Sequence, residues 1–230
     1  FSCNSMQMDA SIKNREEKVK DYIVRLTESE LIGIQYLVVN KEKTLINYAG
    51  GLSDVAAQKP MRSETLMQTA SMSKTFTAIA ILLLAEDGRL KLDDSVSIYF
   101  NDHPYGDQIT IRQLISHTAG VPNPLPTKWF HTRQSHSNYN KDKVIQAVLM
   151  ENAKLDSYSG EKYSYSNIGY WLLGRIIENA SGERFQDYIR KSILEPLDME
   201  KESVYELASH QDTAKGYLAK YSFFNLIKGW

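Results

Sequence analysis

Gln68-Thr69-Ala70-Ser71-Met72-Ser73-Lys74-Thr75-Phe76-Thr77-Ala78-Ile79-Ala80-Ile81-Leu82-Leu83-Leu84-Ala85-Glu86-Asp87-Gly88 is a turn of small residues feeding a helix that is apolar nearly all the way round from Phe76 to Ala85. A helix of that kind is expected to be buried on most faces, and Gly88 supplies its stop. Ser71 and Lys74 stand at the N-terminal end, three residues apart and so on one face. A desolvated lysine holds its proton less tightly and can take one from a neighbouring hydroxyl. The positive end of the helix dipole favours a nucleophile that gains negative charge. A plainer reading competes: Ser71 as an N-cap, and Lys74 as a first-turn residue with its stem laid along the surface. Ser-x-x-Lys is a short pattern. It recurs at Ser159-Gly160-Glu161-Lys162, in a polar turn with no apolar helix behind it.

The totals narrow the class. A chain of 230 residues, 42% hydrophobic, is long enough for one large domain or two lobes with a real core. Its formal net charge of −1 gives no electrostatic case for nucleic acid. The longest apolar run, Ala78 to Ala85, has the length of a core helix, far short of the roughly 18 residues of a membrane span. Cys3 is the single cysteine, which leaves no internal disulfide to form. Phe1-Ser2-Cys3-Asn4-Ser5 resembles the end of a bacterial lipoprotein signal, with a small residue before the cysteine that becomes lipidated. That resemblance implies a lipid anchor at Cys3 and a place outside the cytoplasm. A lone cysteine in a frayed terminus is the competing account.

Outward from the central helix, residues 1–9 read as a flexible N-terminus. Ile12, Val19, Tyr22, Ile23 and Leu26 recur at helical spacing and predict an amphipathic helix from Ala10 to Glu28. Leu31 to Val39 and Thr44 to Ala49 predict two strands of a hairpin, turning at Asn40 to Lys43 and closed by Gly50-Gly51. Leu52 to Met67 reads as a connecting loop. Thr110 and Gln113 form a capping box that opens a short helix from Ile111 to His117. Asp142 is expected to cap a helix with Val144, Ile145, Val148 and Leu149 on its inner face. Asn167 to Ala180 predicts another, with Tyr170, Trp171, Leu173, Ile176 and Ile177 inward and Gly182 as the stop. A last helix runs from Phe185 to Leu194, ahead of Pro196. His131 and His136 fall in a long polar loop with no acidic ligand at metal spacing, and read as solvated histidines. The expected organisation is therefore α/β: an α/β part over residues 10–70, a mainly helical part over 71–218, and a tail at 219–230.

A second constellation lies at Tyr163-Ser164-Tyr165-Ser166-Asn167, just before an apolar helix. A phenol and an amide two residues apart in an extended turn can point into one cleft. Tyr165 is placed to act as a base or proton shuttle beside Lys74, whose charge holds a phenol pKa down, and Asn167 to hydrogen-bond a substrate amide. Packing for Tyr165 and an N-cap role for Asn167 are the alternative. Tyr99-Phe100-Asn101 has the same short pattern without such a context.

Ser71-Met72-Ser73-Lys74 before an apolar helix, with Tyr165-Ser166-Asn167 before another, resembles the serine β-lactamase and penicillin-binding-protein superfamily. The tyrosine in the second motif resembles the branch of class C β-lactamases, D-Ala-D-Ala carboxypeptidases and esterases. The likeness extends to Leu92-Asp93-Asp94-Ser95-Val96, to the run from Ile109 to Pro122, to Gly169-Tyr170-Trp171-Leu172-Leu173-Gly174, to Glu195-Pro196-Leu197-Asp198-Met199 and to Ala214-Lys215-Gly216-Tyr217. It covers residues 10–218. It implies a β-lactamase-like fold: an antiparallel sheet flanked by helices, with a mainly helical lobe. It also implies a serine hydrolase working through an acyl-enzyme on a β-lactam, a D-Ala-D-Ala-type or peptidoglycan peptide, or an ester, without metal or organic cofactor. Ser71 would be the nucleophile, Lys74 its activating base, Tyr165 the proton shuttle and Asn167 the substrate-amide contact. The Ser71 N–H would be one oxyanion donor.

The superfamily's third motif, a Lys- or His-centred triad ending in Gly after the second motif, is not found in this chain. His117-Thr118-Ala119-Gly120 falls between the first two motifs instead. The strands that follow the third motif are expected to be missing with it. Two expectations follow: exposed apolar surface beside the central helix, or a second chain that completes the sheet. A binding module that keeps the cleft without the chemistry is the alternative function.

Overall fold

The computed structural model describes residues 2–29, 31–125, 138–199 and 212–217, with side chains from residue 14 onward. The chain forms two compact units, Phe1–Gln68 with Glu206–Trp230, and Thr69–Tyr205. Residues 212–217, expected in the helical part, belong to the first unit. His131, His136, Cys3 as a side chain, and the tail at 219–230 lie outside what is described.

In the first unit α1 spans Ser2–Ser29. No Gly or Pro occurs in that stretch, so nothing interrupts the helix upstream of Ala10, where a loose terminus was expected. Ile23 is buried, whereas Tyr22, expected inward, is exposed. Strands β1 (Gly33–Val39) and β2 (Thr44–Asp54) pair antiparallel. Asn40 builds their turn: its Oδ1 accepts the N–H groups of Glu42 at 2.9 Å and Lys43 at 2.8 Å.

Gly50-Gly51 does not close β2. A Cβ on Gly51, where φ is +76°, would stand 2.3 Å from the Ile32 carbonyl oxygen, and one on Gly33 would stand 2.3 Å from that of Leu52. These glycines let two backbones approach, and β2 runs on to Asp54. There it turns into β3 (Lys59–Pro60), with Leu52 opposite Pro60 and Asp54 opposite Lys59. The segment read as a connecting loop thus supplies a strand. The sheet order is β1-β2-β3. Among the described residues β1 is an edge, carrying exposed Leu37 and Val39.

Residues 212–217 are fastened to this unit by backbone and charge. Leu66 N–H donates to the Asp212 carbonyl at 2.9 Å, and Ala214 N–H to the Leu66 carbonyl at 2.8 Å. The Asp212 carboxylate pairs with Lys59 at 2.8 Å and Arg62 at 2.7 Å, and Lys215 pairs with Asp54 at 2.5 Å. Those two cations hold the Asp212 carboxyl at about 2, well below its usual range.

The second unit is helical: α2 (Lys74–Glu86), α3 (Ile111–Ile115), α4 (Lys141–Glu151), α5 (Asn167–Ser181) and α6 (Phe185–Ile189), the last continuing as a π-helical turn over Arg190–Leu194. α2 ends in a Schellman cap. Gly88, at φ +70°, donates to the Ala85 carbonyl and Arg89 N–H to that of Leu84. The Thr110–Gln113 capping box is present. Asn140, not Asp142, caps α4, because its side chain accepts from Lys143 N–H. Ser166 caps α5, and Gly182 at φ +75° ends it.

The core of this unit gathers Ala80, Ile81 and Leu84 of α2, Leu114 of α3, Val148 and Leu149 of α4, and Ile168, Leu172, Leu173, Ile176 and Ile177 of α5. Tyr170 and Trp171 are half-buried at its border. α2 is covered on one side only. Met72, Ile79 and Leu82 are exposed, so the expectation of burial on most faces fails along that stripe.

Candidate active site

The first group of site residues rests on a tight turn. Ala70–Ser73 is a 3₁₀ turn leading directly into α2. In a 3₁₀ turn residues three apart eclipse one another, which brings the Lys74 side chain back over Ser71. Lys74 Nζ donates to Ser71 Oγ at 3.3 Å. Ala70, directly before Ser71, has φ +45°. That is the left-handed region, costly for a residue with a Cβ. The Ser73 hydroxyl donates to the Ala70 carbonyl at 2.6 Å and braces the turn.

The second group comes from the segment before α5. Tyr165 Oη lies 2.8 Å from Ser71 Oγ. Asn167 Oδ1 accepts from Lys74 Nζ at 2.8 Å and from Tyr165 Oη at 3.3 Å. The four residues named from the sequence, Ser71, Lys74, Tyr165 and Asn167, therefore close one hydrogen-bonded ring. Lys74 Nζ also stands 5.1 Å from the centre of the Tyr165 ring and 5.6 Å from that of Tyr170, within cation–π reach. Asn167 is not the N-cap of α5; Ser166 is, so the amide is left to face Lys74.

Burial raises the Tyr165 phenol pKa. Hydrogen bonds with Lys74 and Ser71 and the charge of Lys74 outweigh it, and the net position is below the ordinary value of 10.0. A phenol in that state is deprotonated more readily than a free tyrosine, so its basic form is more available at a given pH. The competing short motifs have other duties. Ser159 donates to Gln113 Oε1 at 2.6 Å inside a turn. Tyr99 donates to Asp94, and burial first, then this carboxylate, pushes its phenol up to about 12.

What holds the Tyr165 segment is the run His117–Asn123, which the sequence offered only as a displaced look-alike of the third motif. Ser164 N–H donates to the His117 carbonyl at 2.7 Å, and Ser166 N–H to His117 Nδ1 at 3.1 Å. The Ser166 hydroxyl donates to the Pro122 carbonyl at 2.9 Å. Asn123 Oδ1 accepts both the backbone N–H and the side-chain amide of Asn167, at 3.0 and 3.1 Å. A cavity of about 540 Å³ adjoins Lys74, Asn167 and Tyr170 and is walled by Thr77, Trp171 and Phe185.

A serine at the mouth of an apolar helix is thus joined by hydrogen bonds to a lysine on the same turn and to a tyrosine from a second loop. The chain belongs to the beta-lactamase family, whose model matches residues 15–221. Members of that family are generally serine hydrolases. Among curated relatives, penicillin-binding protein 4* of Bacillus subtilis (strain 168) is 31% identical over 194 residues, covering 84% of this chain and 42% of that protein. The octameric penicillin-binding protein homologue from Pyrococcus abyssi superposes with a TM-score of 0.70 at 29% identity, covering 88% of this chain and 48% of that one. A class C beta-lactamase in complex with cefoxitin superposes with a TM-score of 0.72 at 26% identity, covering 90% of this chain and 56% of that one. The chain spans less than half the length of the curated relatives it matches. The β-lactamase-like α/β fold is thereby shown.

Proposed function

We propose that this chain carries the nucleophilic half of a serine hydrolase that works through an acyl-enzyme. One observation supports this above the rest: Ser71 Oγ is within hydrogen-bond distance of both Tyr165 Oη and Lys74 Nζ. Ser71 Oγ attacks the carbonyl carbon of a β-lactam, a D-Ala-D-Ala-type peptide or an ester. As the O–C bond forms, the Ser71 proton passes to Tyr165 Oη, whose basic form the Lys74 charge stabilises. It is then delivered to the leaving nitrogen or oxygen as the scissile bond breaks. Water later takes the place of the leaving group and releases the acid. Asn167 holds Lys74 and offers its amide toward a substrate amide. The Ser71 N–H, ahead of α2, serves as one oxyanion donor.

Peptidoglycan-type substrates, a place outside the cytoplasm and a lipid anchor at Cys3 go with this reading. So does pairing of the β1 edge with another chain. No described helix is long and apolar enough to cross a membrane.

Intact mass after incubation with benzylpenicillin, and separately with a fluorophosphonate, tests the proposal, with Ser71→Ala as control. A stoichiometric adduct that the control lacks supports it. Folded protein that gains no adduct from either reagent favours the binding module instead.

A further inference from the structure

His117 has no part in the chemistry above, yet its ring is at the centre of the aromatic cluster behind it. Its centroid lies 4.6 Å from Tyr165, 4.9 Å from Tyr170 and 5.8 Å from Tyr163. His117 itself has φ +57°, a conformation that His and Asn tolerate better than most residues. That backbone twist ends α3 and turns both the ring and the carbonyl toward the Tyr163–Asn167 segment. The carbonyl takes Ser164 N–H and the ring nitrogen Nδ1 takes Ser166 N–H. Tyr165 is the residue between these two anchors.

We infer that His117 is a positioning residue for Tyr165, and that it does so only as the neutral imidazole with its proton on Nε2. This rests on the acyl-enzyme reading for its catalytic consequence, not for its geometry. Nδ1 can accept from Ser166 N–H only while it is unprotonated; a proton there makes it a donor facing a donor. Protonation then removes the anchor on one side of Tyr165 and places a cation against its ring. The groups facing the imidazole are the phenols of Tyr163 and Tyr165 from the loop, the phenol of Tyr170 from α5, and the Lys74 ammonium from α2. Burial, and then the Lys74 charge, keep His117 below the ordinary histidine value of 6.5, which preserves the acceptor near neutral pH. Falling pH is therefore expected to loosen Tyr165 from Ser71 in addition to protonating the phenol.

Three chains test this: wild type, His117→Asn and His117→Phe. Asn keeps an acceptor near Nδ1 and tolerates the backbone twist, but does not titrate. Phe keeps the ring contacts and loses the acceptor. The rate of fluorophosphonate adduct formation is followed by intact mass from about pH 7.5 to about pH 5. Wild type is expected to lose roughly three- to tenfold more rate over that range than His117→Asn. His117→Phe is expected to be slower at every pH by up to about tenfold, the scale of one hydrogen bond. A His117→Asn profile that matches wild type overturns the proposal. A second readout needs no activity. In NMR spectra of the full chain, the Ser166 amide nitrogen and the Tyr165 ring protons must shift with the His117 titration midpoint. If they do not, the positioning role is wrong even where acylation occurs. If they do while no chain acylates, the positioning role stands and the acyl-enzyme reading fails.

Discussion

Tyr165 Oη lies 2.8 Å from Ser71 Oγ although 94 positions separate the two residues. Lys74, only three positions away, stands further off at 3.3 Å. In the proposed reaction the tyrosine from the other loop takes the serine proton, and the lysine sets the charge around it. Tyr165→Phe is expected to slow fluorophosphonate or penicillin adduct formation by about 10²–10⁴, the range for a positioned acid–base group, with an unchanged circular dichroism spectrum. Acylation at the wild-type rate would remove Tyr165 from the reaction.

The pH dependence follows from the same pair. The Tyr165 phenol sits below 10.0 because the Lys74 and Ser71 interactions overcome burial. Its basic form therefore accumulates at lower pH than that of a free tyrosine. Adduct formation is expected to rise and level off accordingly, and the level stretch should be missing in Tyr165→Phe.

Ala70 holds a left-handed conformation immediately before Ser71. The strain there is about 1–2 kcal/mol for a residue with a Cβ, against about 0.4–1 kcal/mol of unfolded-state entropy added by glycine. Ala70→Gly is expected to leave stability unchanged or raise it by up to about 1 kcal/mol, and Ala70→Val to lower it. Urea midpoints decide. A glycine variant clearly less stable than wild type would show that the turn is not strained in solution.

Two leucines of one unit should respond in opposite ways. Leu173 is fully buried and Leu82 is 49% exposed. Leu173→Ala is expected to cost about 2–5 kcal/mol. Leu82→Gln should stay within about 0.5 kcal/mol and reduce binding of a hydrophobic dye. A large stability loss in the second variant would mean that the exposed stripe of α2 is covered in solution.

Asp212 provides a pH test of the first unit. Its folded pKa, about 2, lies under the unfolded value of 3.8, so its contribution is present above that unfolded value and lost as pH falls through about 2. The melting temperature of Asp212→Asn should therefore fall below that of wild type at neutral pH, and the gap should close toward pH 2. A gap that persists there would point to lost geometry instead of lost charge.

Much of this molecule was legible in its sequence because the signals are local. The apolar run after Lys74, the Thr110–Gln113 box, Gly88 and Gly182 each act within one or two turns of chain, and the helices they bound are where those rules put them. Ser71 and Lys74, Tyr165 and Asn167 could be named as pairs for the same reason: each pair shares a turn. Other features depend on partners distant in the chain. Gly50 and Gly51 read as a stop until the Ile32 carbonyl beside Gly51 shows that two backbones must pass there. Tyr22 and Leu82 are apolar at helical spacing, yet exposed, since periodicity names a face and not what covers it. His117 looked like a misplaced motif because nothing local to it announces Tyr165 or Ser166. The sequence by itself determined most of the helices, the Thr110–Gln113 box, the glycine stops at Gly88 and Gly182 and the two short motifs. Tertiary structure alone decided that the motifs meet, that Tyr165 is nearer than Lys74 to Ser71, and that His117 accepts the N–H groups on either side of the tyrosine, because distances between remote residues are set by packing and not by spacing.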